Sequence, residues 1–207
     1  SIPPQNIAGG VPNQILGGFD VTVSGEPISV QSLVFTVSTS SGSGYGLLTN
    51  VTIVDQNGAV VAGPIDASSG GATSETLTFS TQVIFPVGTH TYTLKGKVAT
   101  TIGNNTQYSI SSTPSSQWIN VTGLVSGYQI SLSNNGIFTM NTMTVKIGSL
   151  MVSVSATPIA QTILSGGNAR IFANYLLDAS QSSEDVRLLS MKGSLTFNTA
   201  NTGDNLN

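Results

Sequence analysis

Cysteine is absent from the 207-residue chain. That excludes disulfides and thiolate metal centres. Charge is scarce as well: charged residues make up 7% of the chain, against about 25% in ordinary soluble domains. Six Lys and Arg side chains cannot build a phosphate-neutralising patch, so neither nucleic-acid binding nor attachment to an anionic lipid surface is expected. There is one histidine, His90, and no acidic residue between Glu75 and Asp178. General acid–base and nucleophilic catalysis need such groups in position. No Gly-x-Ser-x-Gly elbow is present either. The sequence therefore predicts no enzyme and no cofactor. No apolar run approaches the ~20 residues of a membrane span, and no leader pattern is visible. The chain opens at Ser1 without Met, which reads as a processed form or a fragment.

What is present is apolar alternation on a Ser, Thr, Asn, Gln and Gly background. Hydrophobic residues make up 39%. Disordered chains pair low hydrophobicity with high charge, so this chain is read as folded. Net charge is −3. The low charge and hydroxyl-rich surface fit an extracellular or cell-surface setting.

Residues 1–14 (SIPPQNIAGGVPNQ) hold Pro and Gly and read as an extended arm, because proline cannot donate to a ladder. From Phe19 the period is two, with Phe19, Val21 and Val23 on one face. After the turn Gly25-Glu26-Pro27, Leu33, Phe35 and Val37 line the next strand. Asn57-Gly58 is the signature of a two-residue type I′ hairpin. Tyr92, Leu94, Gly96 and Val98 share a face further on. Short strands at ~8–12-residue spacing predict an all-β sandwich or barrel. Residues 175–190 also admit a short helical turn, but their alignment to the strand pair at 19–35 argues against it.

Two segments echo each other. Residues 15–35 (ILGGFDVTVSGEPISVQSLVF) and 163–197 (ILSGGNARIFANYLLDASQSSEDVRLLSMKGSLTF) both run Ile-Leu, a Gly pair, an alternating strand, an acidic-polar turn and Ser-Leu-x-Phe. The predicted organisation is an arm over 1–14, a sandwich over 15–122, a β-rich connector over 123–148 and a second, incomplete sandwich over 149–207. Repeat arrays of this kind are usually structural or adhesive.

Residues 76–98 (TLTFSTQVIFPVGTHTYTLKGKV), 141–158 (NTMTVKIGSLMVSVSATP) and the Ser-Leu-x-Phe strands resemble tandem immunoglobulin-like repeats of large secreted prokaryotic surface proteins, of surface-layer, fibre or adhesin type. The resemblance implies an immunoglobulin-like β-sandwich and a late hairpin turned by Pro86-Val87-Gly88-Thr89. It brings no catalytic residues. The departure is truncation, with strands missing from both units.

Candidate sites are few. His90 follows a turn and reads as an ordinary strand residue. Asp55-x-Asn57-Gly58 opens like a calcium loop but lacks the closing Glu, so it reads as a turn. Asp178, Glu184 and Asp185 form an acidic cluster of solvated-turn type, and no metal site is predicted. Some surface immunoglobulin-like domains join a buried Lys to an Asn, and Lys95, Lys97 and Lys146 are candidate amines for such a staple. Asn50, Asn104 and Asn120 begin Asn-x-Ser/Thr sequons and permit glycosylation. Trp118 and Tyr128 are the candidate glycan platforms, with core packing as the competing role.

The leading expectation is a non-catalytic extracellular subunit of a filament, fibre or surface layer. Its partners would be copies of itself, joined head to tail. The arm 1–14 or the segment 149–156 would complete a neighbour's sandwich. A carbohydrate-binding or adhesive module that takes cell-surface glycans is one alternative. A viral tail or capsid-decoration protein is another.

Overall fold

The computed structural model describes residues 2–40, 47–69, 74–133, 135–162, 168–182 and 185–194. The strands are β1 (Asn6–Ile7), β2 (Gln14–Val23), β3 (Ile28–Thr39), β4 (Thr49–Val54) and β5 (Val60–Ile65). They continue as β6 (Ser68–Ser69), β7 (Ser74–Phe79), β8 (Val83–Phe85), β9 (Gly88–Lys97) and β10 (Gln107–Ser112). A one-turn helix, α1 (Pro114–Gln117), precedes β11 (Trp118–Gly123), β12 (Phe138–Thr139), β13 (Met143–Val145), β14 (Met151–Val154) and β15 (Tyr175–Asp178). They build an immunoglobulin-like β-sandwich followed by a second, incomplete β unit.

The larger sheet is organised by β3. One edge of β3 pairs with β7 over residues 33–38 and with β8 over 28–30. The other pairs with β10 over 36–39 and with β11 over 28–33. Both flanking strands are therefore interrupted. On one side the break is α1, where Pro114 at the first helical turn cannot donate to a ladder. Gln117 closes that turn by accepting from the Thr113 N–H and donating to Thr36 Oγ1. β10 also carries β12 and β13, and β13 pairs in parallel with β1. The smaller sheet runs β2-β9-β4-β5, antiparallel throughout.

The predicted faces recur. Phe19 and Val23 are buried and Val21 is half-buried. Leu33, Phe35, Val37, Tyr92, Leu94 and Val98 all lie in the core. Phe19 from the smaller sheet meets Phe35, Tyr92, Trp118 and Phe138, with ring centroids 5.5 to 6.2 Å away. Trp118 stacks on Phe85 at 5.5 Å and 11°.

Several local expectations change. Residues 123–148 supply β12 and β13 to the larger sheet, and Met140, Met143 and Val145 to the core of the sandwich. The segment 1–14 is anchored within its own chain. Ile7 and Ala8 are buried, and the Gln14 amide accepts from the Ala8 N–H at 2.5 Å and donates to the Ala8 carbonyl. Pro86–Thr89 does not turn a hairpin, since β8 belongs to the larger sheet and β9 to the smaller. The turn carries the chain across the core. At Asn57-Gly58 only Gly58 has positive φ, at 84°. Asp55 Oδ1 accepts from the N–H groups of Asn57 and Ala59, each at 2.9 Å. That fixes a type I turn with a glycine bulge in place of the type I′ turn. Residues 175–178 form a strand, as their alignment to 19–35 predicts.

Gly63 in β5 shows how tightly the smaller sheet closes. Its φ is +90°, and an added Cβ would stand 2.4 Å from the Val51 carbonyl oxygen. Backbone cannot retreat as a flexible side chain can. Gly63→Ala is expected to cost about 2–5 kcal/mol from left-handed strain and overpacking together. Urea denaturation of the two proteins measures this, and an unchanged midpoint would remove the constraint.

Candidate functional site

The titratable groups are dispersed. Among the described residues no three His, Cys, Asp or Glu side chains form a group able to hold a metal ion. His90 Nε2 lies 3.1 Å from the Val87 carbonyl oxygen, so the ring closes its own turn. Asp178 Oδ1 accepts from the Ser180 N–H at 2.8 Å, and contacts with the Ser180 side chain and backbone hold its pKa below the ordinary value. Asp185 is exposed, and Glu184 lies outside the described residues. Lys146 donates to Asn105 Oδ1 at 2.6 Å in an exposed position. The buried acid, Glu75, takes the Leu48 N–H instead, so lysine, asparagine and acid are not assembled as a staple requires.

Two carboxylates do structural work that sequence reading passed over. Glu26 Oε2 accepts from the N–H groups of Val125 and Ser126 at 2.7 and 2.8 Å, and Oε1 accepts from Ser126 Oγ. The Ser126 hydroxyl first, then the two N–H groups, hold its pKa low. Glu26 thereby ties the turn after β2 to the turn after β11. Glu75 is 1% exposed and faces the core. Burial raises its pKa, and the Leu48 N–H only partly offsets that. Its Oε1 has no hydrogen-bond partner, and neither has the buried Thr39 Oγ1. Parity was the available signal: Glu75, Leu77 and Phe79 alternate onto one buried face.

Asn50, Asn104 and Asn120 are all exposed. Asn104 Oδ1 accepts from the Ile147 N–H, and Asn120 Nδ2 donates to Gln31 Oε1. Asn50 and Asn120 have φ of 52° and 51°, and each opens an Asn-Val-Thr triplet. Asn tolerates the left-handed region better than other residues with a side chain. A backbone requirement therefore accounts for the asparagine of both triplets. Trp118 and Tyr128 have diverged roles. The Trp118 ring is stacked in the core cluster, and its Nε1 donates to Ser112 Oγ at 3.1 Å. Tyr128 is 78% exposed at the end of the turn after β11.

The largest departure from an ordinary soluble surface lies elsewhere. Among the described residues β14 and β15 pair only with each other in a two-stranded ribbon, Val152 opposite Leu177 and Val154 opposite Tyr175. Fourteen of the 24 exposed large hydrophobics among the described residues fall between Ile147 and Met191. The echo at 163–197 overlaps this region. Its residues 163–167, 183–184 and 195–197 lie outside the described residues.

No protein-family model matches the chain, and neither the curated proteins nor the solved structures contain a significant match. No helix among the described residues is long and apolar enough to cross a membrane.

Two substitutions check these assignments. Because burial raises the Glu75 pKa, the fold favours the protonated acid. Its contribution is full below the unfolded value near 4.5 and is lost as pH rises through the folded value. Glu75→Gln should therefore raise the thermal midpoint at pH 7, with the gain shrinking toward pH 4; no gain at pH 7 would contradict it. Asn50→Ala is expected to cost about 1–2 kcal/mol while Asn50→Gly costs less, read by denaturation of unglycosylated protein. Equal stability of the two variants would contradict the backbone account.

Proposed function

We propose that the chain is a non-catalytic structural subunit of an extracellular filament, fibre or surface layer, whose copies assemble by strand complementation. The unpartnered ribbon of β14 and β15 carries this reading. A two-stranded sheet is marginal in water, and this one leaves Val152, Val154, Tyr175 and Leu177 between 41% and 67% exposed on one face. Pairing with a further strand removes that apolar surface and satisfies an open row of backbone groups together. The segment 1–14 is not the donated strand in this reading, because β1 already pairs with β13.

Composition supports the same conclusion. With 15 charged side chains in 207 residues, copies repel each other weakly, and their association relies on apolar contact and backbone hydrogen bonds. Head-to-tail repetition of such a contact gives an open polymer. Light scattering and negative-stain electron microscopy over a concentration series test it. Regular polymers that persist in high salt are expected, since charge pairing contributes little. A chain that stays monomeric at every concentration would overturn the reading.

A further inference from the structure

The acceptor for the ribbon can be located on the sandwich. Among the described residues β2 ends its sheet, pairing with β9 alone. At Gly17 and Gly18 the faces of the strand are covered, by Met140 and Ile2 respectively. From Phe19 to Thr22 the strand instead borders a groove of about 420 Å³, whose other wall includes Pro114, Trp118 and Phe138. The apolar face of β2 (Phe19, Val21, Val23) thus stops at an opening over the aromatic cluster.

The two edges of this sheet are treated differently. β5, at the far edge, carries Gly63-Pro64 and register shifts against β4. Proline and irregularity are standard guards against edge pairing. The stretch Phe19–Val23 has no Pro, no Lys and no bulge, the only register shift of β2 lying between Ile15 and Gly17. β14 is equally unguarded, and among the described residues its outer edge is unpaired. It is four residues long, which matches the open stretch at ~3.3 Å per residue.

We infer that β14 of a second copy adds to the outer edge of β2 at Phe19–Thr22, extending the smaller sheet from four strands to six. This rests on the polymer reading and names its contact. Val152 and Val154, with Tyr175 and Leu177 behind them, continue the core-facing row of β2 across the groove toward Trp118 and Phe138. Ser153 falls on the outer face with Asp20 and Thr22. The donor and acceptor surfaces differ, so each copy gives one ribbon and receives another, and the contact does not close on itself.

The absence of native cysteine makes the test clean. Full-length chains carrying Asp20→Cys or Thr22→Cys are mixed with chains carrying Ser153→Cys under mild oxidation. A disulfide-linked heterodimer is expected from at least one of the two mixtures. Val60→Cys, on the guarded edge, should give none with Ser153→Cys. In parallel, Val21→Lys places a charge at the groove and should raise the concentration needed for assembly at least tenfold while leaving the sandwich folded by circular dichroism. A milder variant, Thr22→Lys, guards the edge should Val21→Lys fail to fold. Polymers that form normally without the cross-link and tolerate the edge lysines would overturn this contact and leave the polymer reading standing. Monomers at every concentration, with no cross-link, would overturn both.

Discussion

The contact of Phe19 with four other rings holds the two sheets in register. Phe19 and Tyr92 come from the smaller sheet, and Phe35, Phe85, Trp118 and Phe138 from the larger. Tilted and edge-on ring pairs add directional preference to area burial, so the cluster fixes how the sheets face as well as how closely they approach. Its consequences reach outward. Trp118 enters the cluster only because α1 interrupts the edge of β3 and lets β11 restart in a new position. Ser112 then spans the break, donating to the Val34 carbonyl while accepting from Trp118 Nε1.

The sandwich is a chain of such dependencies with little charge in it. Among the carboxylates described, Glu26 and Asp55 organise turns by accepting backbone N–H groups, and Glu75 does the same from inside the core. None is arranged as one member of a catalytic pair. Charge is used sparingly and locally, to satisfy backbone donors where the strands end. The surface left over is polar with few charges on the sandwich, and the ribbon that follows it exposes apolar side chains.

Alternation made most of this fold legible. The faces of β2, β3 and β9 follow from parity alone, because one side of each is buried and a one-residue slip would expose it. Other features were hidden for physical reasons. Which strand pairs with which depends on contacts across a hundred residues, so Pro86–Thr89 looks the same in sequence whether it turns a hairpin or crosses between sheets. Residues 123–148 lack long alternating runs, since β12 and β13 are two and three residues long. Met140, Met143 and Val145 tie them to the core, with Phe138, Ile130 and Leu132 packed against it. Trp118 offered an aromatic ring but no sign of which neighbours would cover it. The ribbon's strands at 151–154 and 175–178 were readable, whereas the edge position of β2 required knowing that no described strand pairs beyond it.

The parallel pair of β1 and β13 has a mechanical meaning. The chain enters the sandwich at β1 and leaves it after β13, and the two lie side by side. Gln5 accepts from the Thr144 N–H, and Ile7 from the Lys146 N–H, at 3.0 and 2.9 Å. Tension applied through the two ends drags these neighbours in opposite directions along their shared axis. The bonds are then strained together in shear, and none can open first as it would if the strands were peeled apart. Behind them, Lys146 and Ile147 are held to Asn105 and Asn104. The place where the chain comes and goes is also where the sandwich is built to resist being pulled open.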